Sequence, residues 1–145
     1  MIIIALWGKQ NCGKSTAIQR FYDKYVAGNK AFDVVGAGPL PVEQGVVAIF
    51  NGKRIGIFSS GDNADCIQRG LENVGDCDIV ICAARTKGGS VDAVEKETNQ
   101  IVWIGKESLS AKDGTLSATQ QEMIMRDQNE QAADRIFQAL SLLCQ

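Results

Sequence analysis

The chain has 145 residues, 45% of them apolar and 22% charged, with 15 basic and 17 acidic side chains and no histidine. This composition gives one globular domain, residues 1–145, with apolar matter for a single core and too little excess charge for disorder. The net charge of −2 and the lack of any like-charged block argue against capture of nucleic acid or of an anionic membrane, so a bound polyanion must be met by a local site.

The five cysteines (Cys12, Cys66, Cys77, Cys82 and Cys144) form no C-x-x-C pair. Without histidine, the commonest zinc ligand and the commonest general base are both missing. Reduced thiols packed as small apolar groups in a cytoplasmic protein are the expectation. The opening "MIIIALWGK" lacks a basic n-region, and its apolar run is too short for a signal segment or a membrane span.

In chain order, Ile2–Trp7 is a continuous β-branched run, expected of a strand buried on both faces. From Lys14 the spacing of Ala17, Ile18, Phe21, Tyr22 and Tyr25 is helical, with Gly28 as the stop. Residues 28–44 carry three glycines and both prolines and read as a long loop. Gly45–Phe50 and Arg54–Phe58 are strands joined by Asn51-Gly52-Lys53, a tight-turn signal that predicts an antiparallel hairpin. A short helix follows with Ile67, Leu71 and Val74 on one side. Asp78–Ala84 is another buried strand. Ser90 is placed to cap a helix running to about Thr98. Ile101–Ile104 is the last strand, and 106–117 a loop. Ser117 and Gln120 fit a capping box that opens a long C-terminal helix. The alternation predicts a three-layer α/β domain, its sheet mostly parallel, with the second and third strands as the antiparallel hairpin.

One stretch carries specific chemistry. Gly8-Lys9-Gln10-Asn11-Cys12-Gly13-Lys14-Ser15-Thr16 has the spacing G-x-x-x-x-G-K-[ST], behind a strand and ahead of a helix. Gly8 lets the chain turn out of the strand, and Lys9, Gln10, Asn11 and Cys12 wrap their amides around a phosphate. Gly13 permits close backbone approach. Lys14 reaches the terminal phosphates, Ser15 offers a hydroxyl to Mg²⁺, and Thr16 can donate to the α-phosphate. The helix N-terminus adds its positive end to the same anion. Cys12 lies inside this loop, either as a thiol whose oxidation would block it or simply as a small residue. On these residues the chain resembles the P-loop NTPase superfamily, specifically over residues 1–26 and architecturally beyond. That resemblance implies ATP or GTP as ligand, with Mg²⁺.

A Mg–nucleotide site also calls for an acid at the end of a neighbouring strand. Asp62, in "RIGIFSSGD", is the candidate, holding Mg²⁺ through water or placing a nucleophilic water. The alternative is that Asp62 or Asn63 caps the next helix. Arg85 and Lys87 leave the carboxyl end of "DIVICAA", the edge that faces the ligand in open α/β sheets. They can approach a γ-phosphate or remain solvated charges. Lys106 lies where a base could rest on its stem.

The early hairpin gives a layout similar to the small GTPases, with departures. Phe58 stands where that family places its metal-linked Asp, Lys106-Glu107-Ser108 does not make N-K-x-D, and no Ser or Thr occurs between Ala17 and Phe58. The expected function is therefore Mg-dependent binding and slow hydrolysis of ATP or GTP, with Lys14 and Asp62 as the catalytic groups and Ser15 and Asp62 at the metal. A small nucleotide or metabolite kinase is one alternative, its acceptor pocket formed by loops 28–44 and 106–117 and served by Arg69, Arg85 and Arg126. A nucleotide-dependent switch acting through a protein partner is the other.

Overall fold

The structure, a computed structural model, describes residues 1–9, 12–36, 41–85, 88–106, 109 and 114–145. The elements run β1 (Ile2–Gly8), α1 (Lys14–Phe21) with a π-helical turn (Tyr22–Val26), β2 (Phe32–Val34), β3 (Val46–Phe50), β4 (Lys53–Ile57), α2 (Ala64–Val74), β5 (Ile79–Arg85), α3 (Gly89–Glu97), β6 (Ile101–Gly105) and α4 (Ala118–Leu143). The six strands form one mixed sheet in the order β2-β3-β4-β5-β1-β6. The pairs β4–β5, β5–β1 and β1–β6 are parallel, and β3 alone runs against its neighbours β2 and β4.

The sheet interior is built by the β-branched runs. β1 and β5 pair in register from Ile2↔Ile79 to Gly8↔Arg85, and Ile3, Ile4, Ala5, Leu6, Val80, Ile81 and Ala84 are almost wholly buried. Strands that are apolar on both faces need cover on both faces. Ile4 and Leu6 pack with Ala17, Ile18 and Phe21 of α1 and Ala133, Ile136 and Leu140 of α4. Ile3 and Ala5 pack with Ile67 and Val74 of α2 and Val94 of α3. The expected α/β class, mostly parallel sheet and hairpin are all present. In the hairpin turn both Asn51 (φ 50°) and Gly52 (φ 76°) are left-handed, as a two-residue turn matched to strand twist requires.

Three local expectations are corrected. The segment 28–44 is not loop throughout, because Phe32–Val34 pairs antiparallel with Ala48–Phe50, and Phe32 stacks on Phe50 at 4.3 Å between ring centroids. The added edge strand makes the antiparallel part three strands wide. Ser90 does not cap α3, since Gly88 holds the cap position. Ser90 is fully buried, and its hydroxyl accepts from the Arg85 amide at 3.0 Å. The order across the sheet also places β5 between β4 and β1. The strand leading to Asp62 is therefore not a direct neighbour of the strand leading to Gly8.

The α4 capping box is present, Ser117 Oγ accepting from the Gln120 amide and Gln120 Oε1 from the Ser117 amide. Lys24 ion-pairs with Glu130 at 2.9 Å and Asp134 at 2.8 Å, and Arg20 also pairs with Glu130, tying α1 and its π-helical turn to α4. No helix among the described residues is long and apolar enough to cross a membrane.

Candidate phosphate-binding site

The carboxyl ends of β1, β4 and β5 bring the singled-out residues together. Gly8 ends β1, and it is glycine for lack of space. A Cβ there would lie 2.8 Å from Cys12 Sγ and 2.9 Å from the Lys106 carbonyl oxygen. Lys106 itself is buried, and its amide donates to the Trp7 carbonyl at 2.8 Å. The backbone after β6 thus closes over Gly8, which limits the space for Lys106 as a platform for a base. Cys12 is buried inside the loop. Gln10 and Asn11 lie outside the described residues, as does Lys87.

Gly13 is the N-cap of α1 at φ 94°, ψ 20°, a backbone state that costs a side-chain-bearing residue roughly 1–2 kcal/mol. No side chain caps this helix end and no acid lies in its first turn. Among the described residues, the amides of the first turn are therefore without a side-chain cap, and no acid within that turn offsets the positive end of the helix. Behind the loop, Asn129 of α4 packs against Gly13, with its Oδ1 2.9 Å from where a Gly13 Cβ would be. That oxygen is buried and has no hydrogen-bond donor among the described residues. Sequence alone gives no sign of Asn129, which lies far along the chain.

The Lys14 side chain is folded into the loop. It is 7% exposed, and its ammonium donates to the carbonyl oxygens of Gly8 at 2.8 Å and Lys9 at 2.9 Å. Burial pulls its pKa below the ordinary lysine value, and the positive charge of Arg85 adds to the lowering, while Cys12 and Asp62 act in the opposite direction. Asp62 and Arg85 are thus both near enough to be felt at Lys14. The Ser15 hydroxyl donates to the Ser59 carbonyl at 3.3 Å, and Thr16 is exposed in the first turn of α1.

Asp62 is exposed and does not cap α2. Asn63 does so, its Oδ1 accepting from the Cys66 amide at 2.9 Å. Of the two roles open to Asp62 in the sequence, capping is thereby filled by its neighbour. The Asp62 carbonyl accepts from Arg85 Nη1 at 3.4 Å. Arg85 is also fixed at its backbone by Ser90, so a cation at the end of β5 is held beside the Asp62 turn. Gly61 makes this approach possible, because a Cβ there would fall 1.9 Å from the Ala83 carbonyl oxygen.

Beyond the loop, the amides of Ser59 and Ser60 donate to the carbonyls of Val42 (3.0 Å) and Glu43 (3.3 Å). The turn 41–45 is therefore fastened to the same backbone that receives the Ser15 hydroxyl. Among the described residues, no cluster of three or more His, Cys, Asp or Glu side chains is placed to hold a metal ion. The oxygen donors at the loop are Ser15 and Asp62. That set is too small for an all-protein cage but fits Mg²⁺, which commonly takes one or two protein ligands and completes its shell with waters and phosphate oxygens.

No protein-family model matches the chain, and neither a curated protein nor a solved structure matches it.

Proposed function

We propose that the chain binds the phosphates of a Mg–nucleoside triphosphate, ATP or GTP, in the loop Gly8–Thr16, and hydrolyses it slowly. The observation that carries this reading is a buried ammonium, Lys14, folded over a loop that opens an uncapped helix. A lysine held, among the described residues, by two backbone carbonyls can exchange them for phosphate oxygens. Such an exchange replaces contacts of the ammonium with carbonyl dipoles by contacts with full negative charge. The first-turn amides of α1 then complete the cradle.

Within this reading Ser15, freed from its bond to Ser59, and Asp62 would be the residues that hold Mg²⁺, which would supply positive charge to the phosphates. Arg85, held beside Asp62, would offset negative charge that develops on a bound phosphate during hydrolysis. No histidine is present, and catalysis rests on placed charge rather than on a strong base.

One observation favours a second role as a switch. The amides of Ser59 and Ser60 hold the 41–45 turn, so displacement of Ser15 from Ser59 acts on a segment that also supports that turn. Nucleotide would then be read at the surface by a protein partner.

Titration calorimetry of the chain with MgATP and with MgGTP, paired with release of inorganic phosphate, tests the proposal. Binding of at least one nucleotide with slow release supports it. Binding without release leaves the switch role. The absence of any heat with either nucleotide rejects both.

A further inference from the structure

A cavity of about 340 Å³ is lined by Glu43, Gln44, Ser60, Cys66, Arg69 and Asn73, none of them in the loop Gly8–Thr16. Its walls are fixed by bonds that leave the lining charges available. The Ser60 amide donates to the Glu43 carbonyl at 3.3 Å, and Asn73 Nδ2 donates to the Gln44 carbonyl at 2.8 Å. The floor is set by close packing, since a Cβ on Gly70 would lie 2.3 Å from the Phe58 ring.

The lining is polar and carries charge of both signs, Arg69 and Glu43. Arg69 forms no ion pair among the described residues, and its Nη2 rests 3.7 Å from Cys66 Sγ. A guanidinium faced by a thiol is short of an oxyanion, the group whose planar geometry it matches best. Ser60 and Arg69 hold the Cys66 thiol below the ordinary cysteine value, despite some burial, so the local field favours negative charge. Glu43 also lines the cavity and supplies a residue whose carboxylate can accept from a donor.

We propose that this cavity is a second ligand site, distinct from the phosphate loop, for a small molecule with an oxyanion at one end and an amine or hydroxyl at the other. Arg69 and Ser60 take the oxyanion, and Glu43 takes the donor. The oxyanion is a phosphate monoester or a carboxylate, and the two share the same chemistry at Arg69. Its ligand contacts are separate from those proposed for nucleotide, while Glu43 and Gln44 belong to the 41–45 turn that the switch role would move.

Cys66 reports on occupancy. The full chain is alkylated with iodoacetamide, and the Cys66 peptide is followed by mass spectrometry in the presence of phosphoethanolamine, β-alanine or ethyl phosphate. Saturable slowing by phosphoethanolamine identifies a phosphate site, and slowing by β-alanine a carboxylate site. Protection by neither overturns the proposal. Arg69→Gln is expected to weaken the protecting probe about tenfold. Should that variant not fold, Arg69→Lys, which keeps the charge but not the planar fork, is expected to weaken it by a smaller factor. Unchanged protection in the variant that folds overturns the site. Glu43→Gln is expected to weaken the protecting amine-bearing probe and leave ethyl phosphate unaffected, and an equal effect on both rejects the two-ended reading. Protection must persist in Lys14→Ala. Its loss there would place the probe in the phosphate loop and refute a separate site, whatever nucleotide does.

Discussion

The Lys14 ammonium lies 2.8 Å from the Gly8 carbonyl oxygen, six residues back along the loop that both residues define. The contact satisfies a buried cation with its own backbone, and burial still keeps its pKa below the ordinary 10.5. A bound triphosphate supplies opposite charge and raises that pKa again. The complex then retains a proton that the free protein releases at lower pH. Affinity should therefore fall as pH rises through the free-protein pKa of Lys14. Over the same window the unfolded chain holds the proton that the folded chain has lost, so stability of the free protein gains with pH. Calorimetry with the bound nucleotide from about pH 7 to about pH 10 reads the first effect. Any binding left in Lys14→Arg should lack the Lys14-dependent decline, because a guanidinium stays charged throughout.

Asp62 and Asn63 are adjacent and divide two tasks. Asn63→Ala removes the α2 cap and should cost about 1 kcal/mol in denaturant unfolding, with the Mg²⁺ response of turnover unchanged. Asp62→Asn should leave nucleotide binding in place and weaken Mg²⁺ dependence or turnover, with little change in stability. An unaltered Mg²⁺ titration and unaltered turnover in Asp62→Asn remove this residue from the proposed mechanism.

Gly61 faces the Ala83 carbonyl, where a Cβ would sit at 1.9 Å from oxygen and 2.6 Å from carbon. Backbone cannot yield as a flexible side chain does. Gly61→Ala should destabilise the chain by about 3 kcal/mol or more and move the Asp62 turn away from Arg85. A melting temperature equal to that of the parent would contradict the close approach of β4 and β5 at this edge.

The thiols should differ widely in reactivity. Cys66 is partly exposed with its pKa lowered, whereas burial pushes Cys82 up to about 12. Alkylation of the native chain near neutral pH should modify Cys66 first and Cys82 only after unfolding. Peptide mapping over a time course checks the order, and early modification of Cys82 would speak against the packing of β5.

Much of this arrangement is legible in the residues themselves, and the exceptions have physical causes. The runs at β1 and β5 are long and β-branched, so their burial is written into composition. Asn51-Gly52 names its own turn, and Ser117 with Gln120 names its own cap. Phe32–Val34 is only three residues long, too short for an alternating pattern, and its pairing is decided by the stacking of Phe32 on Phe50 across the strands. Ser90 resembles a cap because it precedes a helical stretch, yet two glycines before it free the chain to begin the helix earlier and bury the hydroxyl against Arg85. The spacing around Lys14 is visible locally. The packing of Asn129 against Gly13, the fastening of the 41–45 turn to Ser59 and Ser60, and the insertion of β5 between β4 and β1 all depend on the order of strands across the sheet. Local spacing does not encode that order.

The central claim is that Lys14 carries the phosphate affinity of the Gly8–Thr16 loop. Titration of wild type and Lys14→Ala with MgATP and MgGTP in one calorimetric series tests it directly, with circular dichroism to confirm that the variant is folded. The account predicts binding of at least one nucleotide by the wild type and a loss of about 100-fold or more in the folded variant. Equal affinity in the two proteins would contradict it.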